Sequence, residues 1–249
     1  MDWRVIPFSL NSAHMNMALD EAVLNAVADG TSPPTIRFYG WSPSAVSIGY
    51  FQSLEHEVDT AYCRRNGIDI VRRQTGGGAV FHQQDGEITY SVIAPQEIFP
   101  AGIVDSYREV CAGIIRGLEK LGITAEFRPI NDICVHGRKI SGNAQTRRKG
   151  VLLQHGTILY RLDLNAMFSS LKVSAEKLRD KSIKSPEDRV TCILRENPKL
   201  TFDKAYHALL DGFAQDKSWD LGDFTETELA DAARLSRNKY ASSEWTFWR

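Results

Sequence analysis

The chain has 249 residues, of which 43% are hydrophobic and 24% charged, and its formal net charge is −1. This balance is ordinary for a globular domain, and a near-neutral chain has no global field that would attract nucleic acid. No apolar run approaches the roughly 18 residues of a membrane span, and the start at Met1 to Arg4 lacks the basic and apolar regions expected of a secretory leader. The four cysteines form no CxxC pair, so we expect a reduced, cytoplasmic protein without a zinc site, bound to neither nucleic acid nor membrane.

The first third of the chain is predicted to alternate strands and helices. Asn11 or Ser12 can cap the first helix, whose apolar residues recur every three or four positions and form one buried face. Glycine and proline residues end that helix near Gly30. The predicted elements are a strand at Trp3 to Leu10, the helix through Ala26, strands at Thr35 to Tyr39 and Ala45 to Phe51, and a helix at Val58 to Arg65.

Strands dominate the middle of the chain and helices its last third. Strands are predicted at Ile68 to Val71, Ala79 to Phe81, Glu87 to Ala94, Thr124 to Arg128, Asp132 to Val135, Lys139 to Thr146 and Val151 to Arg161. Helices are predicted at Asp105 to Leu121, Leu164 to Leu171, Ser174 to Asp180, Phe202 to Phe213 and Glu226 to Lys239. This order favours an α+β fold, a mostly antiparallel mixed sheet covered by helices, over a regular βαβ alternation.

One stretch, Val71 to His82, joins two apolar runs through three consecutive glycines, Gly76 to Gly78. Consecutive glycines are entropically costly and are expected where the backbone takes a positive φ or approaches another group closely. Exposed N–H groups in such a turn can bind an anion such as phosphate, and Arg72 and Arg73 would add positive charge. The same residues also fit a tight hairpin with solvated arginines, so this stretch alone leaves both interpretations open.

A second stretch, Asn131 to His155, contains further candidate residues. In a strand that begins at Lys139, the side chains of Lys139, Ser141 and Asn143 share one face. Lys139 is either a phosphate-binding cation or a solvated lysine that protects a sheet edge. Asp132 belongs either to a simple turn or to a Mg²⁺ site, because Mg²⁺ takes one or two carboxylates together with substrate phosphates.

Four motifs, in this order and spacing, resemble the signature of the lipoate–protein ligase A family. They are Arg-Arg-x-Thr-Gly-Gly-Gly-Ala-Val-Phe-His from Arg72, Asn-Asp from Asn131, Gly-Arg-Lys-Ile-Ser-Gly-Asn-Ala from Gly137, and Gln-His-Gly-Thr from Gln154. Weaker matches extend the resemblance over almost the whole chain. The family also contains octanoyltransferases, and the resemblance implies a catalytic domain like those of biotin–protein ligases and class II aminoacyl-tRNA synthetases.

The resemblance further implies a two-step reaction. In the ligases of this family ATP activates lipoate to lipoyl-AMP, and the ε-amine of a carrier lysine then attacks this mixed anhydride. Lys139 is implied as the catalytic residue, and Asp132 as the residue that orients Mg²⁺. The implied nucleotide and lipoate site contains Arg72, Arg73, Gly76, Gly77, Gly78, Ala79, Val80, Phe81, His82, Asn131, Lys139, Ser141, Gly142, Ala144 and His155.

ATP, Mg²⁺ and lipoate are therefore expected as cofactors and substrate, and the expected partner is a lipoyl-carrier domain of a 2-oxoacid dehydrogenase E2 or glycine-cleavage H-type protein. Ligases of this family need a small accessory domain, fused or separate. We expect residues 1–249 to form a single catalytic domain that works with a separate accessory subunit.

Trp245 and Trp248 are expected either to pack on this domain or to form a partner surface. Ser169 to Arg189 is a candidate closing loop, and four apolar residues are expected to line an acyl slot: Val46, Ile48, Val80 and Ile140.

Two other functions are compatible with the residues. A cysteine-dependent octanoyltransferase would move octanoyl between carrier proteins without ATP. Its cysteine would lie a few residues upstream of Asp132, where this chain has Glu126 to Ile130 and no cysteine, and Cys134 lacks an evident base. A non-catalytic carrier-binding module would not need Lys139, Asp132 and Arg73 together. The motifs therefore favour the ligase, and the form of the glycine turn disfavours a biotin ligase.

Overall fold

The computed structural model describes residues 2–172 and 189–249, and its central element is a mixed sheet of eight strands. These strands are β1 Trp3–Asn11, β2 Thr35–Trp41, β6 Glu87–Pro95, β7 Glu126–Arg128, β8 Asp132–Val135, β9 Arg138–Arg148, β10 Val151–Leu159 and β11 Trp219–Leu221. Their order is β11-β1-β2-β6-β10-β9-β8-β7. Strand β1 is parallel to both of its neighbours, and the other pairs described are antiparallel. The predicted α+β fold with a mostly antiparallel sheet is therefore confirmed.

A second, smaller sheet lies beside the main one. It consists of β3 Ala45–Ile48, β4 Asp69–Arg72 and β5 Val80–His82, with β3 in the middle. Strand β3 is parallel to β4 and antiparallel to β5. The glycine-rich stretch forms the connection between β4 and β5, so both ends of this loop are fixed by the same three-stranded sheet.

The helices have clear start signals in the sequence. Ser12 accepts a hydrogen bond from the backbone N–H of Met15 at the start of the first helix, and Thr225 forms a capping box with Glu228. Each such cap stabilises a helix by about 1 kcal/mol. The helices are α1 Ala13–Ala28, α2 Leu54–Glu57, α3 Thr60–Arg65, α4 Ile103–Lys120, α5 Leu164–Ser170, α6 Ile193–Glu196, α7 Phe202–Ala214, α8 Glu226–Leu235 and α9 Ser243–Thr246. A π-helical turn, Ser236–Tyr240, extends α8.

The two faces of the main sheet are buried differently. One face packs on α4 and α7, where Phe38, Ile88, Leu118 and Phe213 belong to one apolar core. Full burial of each such side chain stabilises the fold by about 1.5–3 kcal/mol. The other face packs on α1 and carries polar residues as well, Arg37 among them, which is fully buried. The small sheet lies next to this polar face.

Several local predictions can be compared directly with the structure. The helix predicted at Val58 to Arg65 begins two residues later, as α3 Thr60–Arg65, because Val58 is extended and Asp59 caps the helix. The short helix α2, Leu54–Glu57, precedes it and was not predicted. The hairpin turns predicted near Gly137 and Gly150 are confirmed, and both glycines have a positive φ. The predicted helix at Ser174 to Asp180 and most of the proposed closing loop lie outside the described residues. Within the described ranges, no helix has both the length and the apolarity to cross a membrane.

Candidate functional site

A cleft of about 250 Å³ lies between the small sheet and the polar face of the main sheet. The main sheet contributes side chains from β2, β6, β9 and β10, and the small sheet contributes them from β3 and β5. The loop between β4 and β5 forms one wall. The lining residues are Met17, Tyr39, Trp41, Ser47, Arg73, Gly77, Gly78, Ala79, Val80, His82, Thr89, Asn131, Lys139, Gly142, Asn143, Ala144, His155, Gly156 and Thr157. The structure thus brings the glycine loop and Lys139 to one cavity.

Polar side chains of the small sheet reach the cleft because side chains alternate along a strand. On β3, Ser47 lines the cleft, whereas Val46 and Ile48 belong to a separate apolar core. On β5, His82 lines the cleft and Phe81 belongs to that core. The expectation that Val46, Ile48 and Phe81 line the site is therefore wrong, since the same alternation turns them away from it.

The glycine loop has both features that favour glycine. Gly77 has a φ of +95°, which side chains rarely tolerate. A Cβ atom on Gly49 would lie 2.0 Å from the carbonyl oxygen of Gly77, so the two backbones approach closely. In the described part of the chain, no backbone atom accepts a hydrogen bond from the N–H groups of Gly77, Gly78 or Ala79. The three residues line the cleft, and such unpaired N–H groups in a turn are the kind of donor that can bind an anion.

Arg73 supports the loop from within. Its guanidinium donates hydrogen bonds to the carbonyl oxygens of Gly76 and Gly78, at 2.7 and 2.8 Å, and to Ser47 Oγ at 3.1 Å. Burial lowers the pKa of Arg73 to about 10, so it remains a cation at neutral pH. Among residues 2–172 and 189–249 no carboxylate forms an ion pair with it. The loop therefore surrounds a buried positive charge at the cleft wall.

A hydrogen-bonded chain links Ser47, His82 and Glu87. Ser47 Oγ lies 2.8 Å from His82 Nε2, and His82 Nδ1 lies 2.7 Å from Glu87 Oε1. Trp41 stacks on the imidazole with 3.8 Å between ring centroids, and Thr89 donates to Glu87 Oε1 at 2.8 Å. The Glu87 carboxylate can only accept, so Nδ1–H donates to it; in the neutral imidazole Nε2 then accepts the hydrogen of Ser47 Oγ. This assigns the His82 tautomer from the network.

A second chain of the same form links Thr75, His155 and Asp20. Thr75 Oγ1 lies 2.7 Å from His155 Nε2, and His155 Nδ1 lies 3.0 Å from Asp20 Oδ2. Burial opposes the charge of Asp20, but the hydrogen bond to His155 and the charge of Arg37, 2.9 Å away, outweigh burial and lower the pKa of Asp20. Burial also lowers the pKa of His155, so its ring is neutral near pH 7. Thr75 is fully buried and does not line the cleft.

Lys139 lies on β9 at the open side of the cleft. Its Nζ is 2.6 Å from Asp132 Oδ1, and both side chains are more than a third exposed. Such an exposed pair contributes about 0–1 kcal/mol, so the amine can turn to a substrate at little cost. A Cβ atom on Gly142 would lie 2.6 Å from both Cε and Nζ of Lys139, and glycine therefore makes room for the lysine. Asn143 Nδ2 donates to the carbonyl oxygen of Asn131 at 2.9 Å and fixes the adjacent wall.

Ser141 and Ile140 do not reach the cleft, contrary to expectation. A register irregularity between β8 and β9 pairs Ser141 with Ile133 but Lys139 with Cys134. The extra residue on β9 interrupts the alternation of side chains, so Lys139 and Ser141 do not share one face of the strand. Ser141 is fully buried, and Ile140 belongs to the core of the main sheet.

Arg72 is also placed differently from the prediction. Its side chain turns away from the cleft and donates to the backbone carbonyl oxygens of Gly49, Trp245 and Thr246, at 3.1, 3.1 and 2.9 Å. The indole of Trp245 donates in return to the carbonyl oxygen of Arg72 at 2.8 Å. Arg72 therefore anchors the C-terminal helix, and Trp245 packs on the domain, while Trp248 remains 41% exposed.

The donor set does not fit a resident magnesium ion. Within the described ranges, no group of three or more His, Cys, Asp or Glu side chains could hold a metal. Asp132, the predicted Mg²⁺ ligand, is a single carboxylate whose near oxygen is already paired with Lys139. By themselves these residues do not form a metal site.

Sequence reasoning missed several cleft and network residues. Ser47 is the polar residue in the short apolar strand Ala45–Ile48, and Glu87 opens a buried strand five positions after His82. A polar residue on an otherwise apolar strand was the available signal for Ser47. Asp20 and Trp41 carried no such signal, because a helix and a distant strand bring them to the site.

The chain is similar to catalytic domains that act in lipoyl and octanoyl modification of proteins. Residues 12–214 match the family described as "Lipoyl protein ligase A/B catalytic domain", and the chain belongs to this family. It is 38% identical to Octanoyltransferase LipM of Geobacillus kaustophilus and 37% identical to that of Anoxybacillus flavithermus, each over 99% of this chain and 98% of the relative. It is also similar to a solved bi-partite lipoate protein ligase of Thermoplasma acidophilum, with a TM-score of 0.85, 33% identity, and coverage of 99% of this chain and 96% of the other.

These comparisons correct the function expected from the motifs. The prediction of an ATP-dependent lipoate–protein ligase is wrong, because curated relatives that match over nearly the full length are named octanoyltransferases. The motifs identified the family and not the reaction. ATP and Mg²⁺, which were expected only because of the ligase assignment, are not supported either.

Proposed function

We propose that this chain is an octanoyltransferase that moves an octanoyl group from the thioester of one carrier protein to a lysine of another. The observation that carries the proposal is the similarity of 35–38% identity, over 98% or more of both chains, to proteins named octanoyltransferase. Because a thioester is already an activated acyl group, its transfer to an amine needs no nucleotide.

The lining of the cleft suits an acyl chain. Aromatic and aliphatic side chains, among them Tyr39, Trp41 and Val80, provide apolar surface, and polar groups are concentrated around the glycine loop and Lys139. A mainly apolar cavity with a few converging polar groups is the usual form of a small-molecule site. The apolar part would hold the octanoyl chain, and the polar part would surround its carbonyl group.

Lys139 would act at the acyl carbonyl. Negative charge develops on the carbonyl oxygen when a nucleophile attacks the thioester carbon, and a positioned ammonium group stabilises that charge. The weak pair with Asp132 keeps the amine near the cleft in the absence of substrate. Asn143, whose amide is fixed by Asn131, would form the opposite part of the same polar wall.

The proposed partners are two carrier proteins, a thiol-bearing acyl donor and a lipoyl-domain acceptor with a reactive lysine. The test uses the purified chain, a donor carrier protein loaded with octanoyl thioester, and an unmodified lipoyl domain. Mass spectrometry of the acceptor should show one octanoyl group on its lysine, formed without ATP or Mg²⁺. A parallel reaction contains free octanoate or lipoate with ATP and Mg²⁺.

Two controls make the outcome decisive. Lys139→Ala should bind the acceptor normally and transfer on the order of 10²- to 10³-fold more slowly, since it lacks the stabilising charge. Modification of the acceptor only in the reaction with free acid, ATP and Mg²⁺ would refute the proposed transferase.

A further inference from the structure

The backbone of Lys139 is bonded to a segment that belongs to neither sheet. The described pairing of β9 with β10 ends at Ser141, which lies opposite Ile158. Beyond this point Val190 forms a parallel bridge with Lys139, and the backbone N–H of Thr191 donates to the carbonyl oxygen of Lys139 at 2.9 Å. Backbone groups at the end of an irregular ladder need such partners, because the regular pairing no longer supplies them.

A single carboxylate connects this segment to the strand. Glu196 Oε1 accepts a hydrogen bond from Arg138 Nη2 at 3.0 Å, and the hydroxyl of Thr191 donates to the same oxygen. The Glu196 side chain is 11% exposed, and Thr191 is fully buried. Hydrogen bonds to an ionised carboxylate are roughly twice as strong as those between neutral groups. Arg138, Thr191 and Glu196 together therefore form a clamp on the backbone of Lys139.

The helix that carries Glu196 is fixed to the main core. Ile193, the first residue of α6, is fully buried in that core. The backbone N–H of Leu194 donates to the carbonyl oxygen of Tyr160 at 3.1 Å, and Tyr160 directly follows β10 and belongs to the same core. The core therefore determines the position from which Glu196 holds the strand.

We propose that Glu196 is a positioning residue for the amine of Lys139. It acts through its hydrogen bonds to Thr191 and Arg138, which hold the strand backbone at the lysine. This inference rests on the octanoyl transfer proposed above, in which that amine acts at the acyl carbonyl. The exposed pair with Asp132 is too weak to fix the amine. The place of Nζ therefore depends on the backbone that carries the lysine, and the ladder with β8 is irregular at that point.

Hydrogen–deuterium exchange of the full chain tests the clamp without any enzymatic activity. Peptides that contain Thr191 should exchange on the order of 10- to 100-fold faster in Glu196→Ala, because the segment loses a hydrogen bond to a charged group. The matched control is Glu126→Ala, which removes the carboxylate of another arginine pair on the same sheet. Exchange at Thr191 should be unchanged in this control. Equal exchange in Glu196→Ala and the unchanged chain would overturn the clamp.

Octanoyl transfer from the loaded donor carrier protein to the acceptor lysine tests the positioning role. Glu196→Ala should lower kcat on the order of 10- to 100-fold and leave KM for both carriers unchanged, since a misplacement of about 1 Å has an effect of this size. Glu196→Gln keeps an acceptor oxygen for Thr191 and Arg138, so its kcat should stay within a few-fold of the unchanged chain. Glu126→Ala should transfer as the unchanged chain does.

A double variant separates positioning from a general loss of structure. Lys139→Ala has no amine to place, so the addition of Glu196→Ala should slow its transfer by less than about 2-fold. Urea unfolding checks the fold of each variant. Thr191→Val keeps the shape of the side chain and removes one bond of the clamp, so it should lower kcat in the same direction even if Glu196→Ala does not fold.

The outcomes distinguish the clamp from the transferase. Additive losses in the double variant, a Glu196→Gln variant as slow as Glu196→Ala, or full transfer by Glu196→Ala would overturn the positioning role of Glu196 and leave the transferase intact. Failure of the unchanged chain to modify the acceptor would overturn the transferase and, with it, the kinetic role of Glu196.

Discussion

Gly142 offers a way to move the Lys139 amine without removing it. A Cβ atom at this position would lie 2.6 Å from Nζ and Cε, whereas ordinary contacts begin at 3.4 Å. In Gly142→Ala the end of the lysine must therefore shift by about 1 Å, and a misplacement of that size can slow catalysis on the order of 10²-fold. This corresponds to about 2.7 kcal/mol of lost transition-state stabilisation. Stability should not fall, since the lysine end is flexible and alanine reduces the entropy of the unfolded chain.

The assay is octanoyl transfer to the acceptor lysine by Gly142→Ala, by Lys139→Ala and by the double variant. If alanine at position 142 acts only through the lysine, the double variant should be no slower than Lys139→Ala. Additive losses, or a Gly142→Ala variant that transfers at the unchanged rate, would refute this placement of the amine. Urea unfolding of all three variants distinguishes loss of activity from loss of fold.

The remaining predictions concern stability and the glycine loop. Asp20→Ala should lower the free energy of unfolding by about 3–5 kcal/mol, because it leaves Arg37 buried without its partner, and urea denaturation measures this loss. The His155 pKa is lowered by burial, so the unfolded chain binds the extra proton as the pH falls below about 6.5. The contribution of neutral His155 to the free energy of unfolding should therefore be fully present above that pH and be lost as the pH falls through the weakly acidic range. In His155→Gln this pH dependence of the free energy of unfolding should disappear. An unchanged pH dependence in that variant contradicts the assignment. Gly49→Ala should destabilise the chain by about 1–3 kcal/mol and slow octanoyl transfer. The added Cβ would lie 2.0 Å from the Gly77 carbonyl oxygen, and neither backbone segment can shift easily. Unchanged unfolding and unchanged transfer would disprove the close approach.

Much of the fold could be predicted because its signals are local. The first helix begins where Ser12 can cap it, and the positive φ of Gly137 and Gly150 follows from their positions in hairpin turns. Strand order could not be predicted in the same way, since pairing between β2 and β6, or between β1 and β11, joins residues far apart in the chain.

The candidate site was predicted in part. The glycine loop, Arg73 and Lys139 were found by their motifs and do line one cleft. Arg72 is adjacent to Arg73 in sequence, yet the two side chains point in opposite directions, one to the C-terminal helix and one to the cleft wall. Which of two neighbouring arginines faces a site depends on the phase of the strand that carries them, and the motif does not contain that phase.

By itself, the sequence determined the class of fold, the family and the loop chemistry, because capping, alternation and glycine conformation depend on neighbouring residues. The tertiary structure decided the partners of the buried polar groups. It put Ser47, His82 and Glu87 in one hydrogen-bonded chain and brought Asp20 from a helix to His155 on a strand. Those contacts join separate elements, and their free energies depend on burial and distance, which only the packed fold defines.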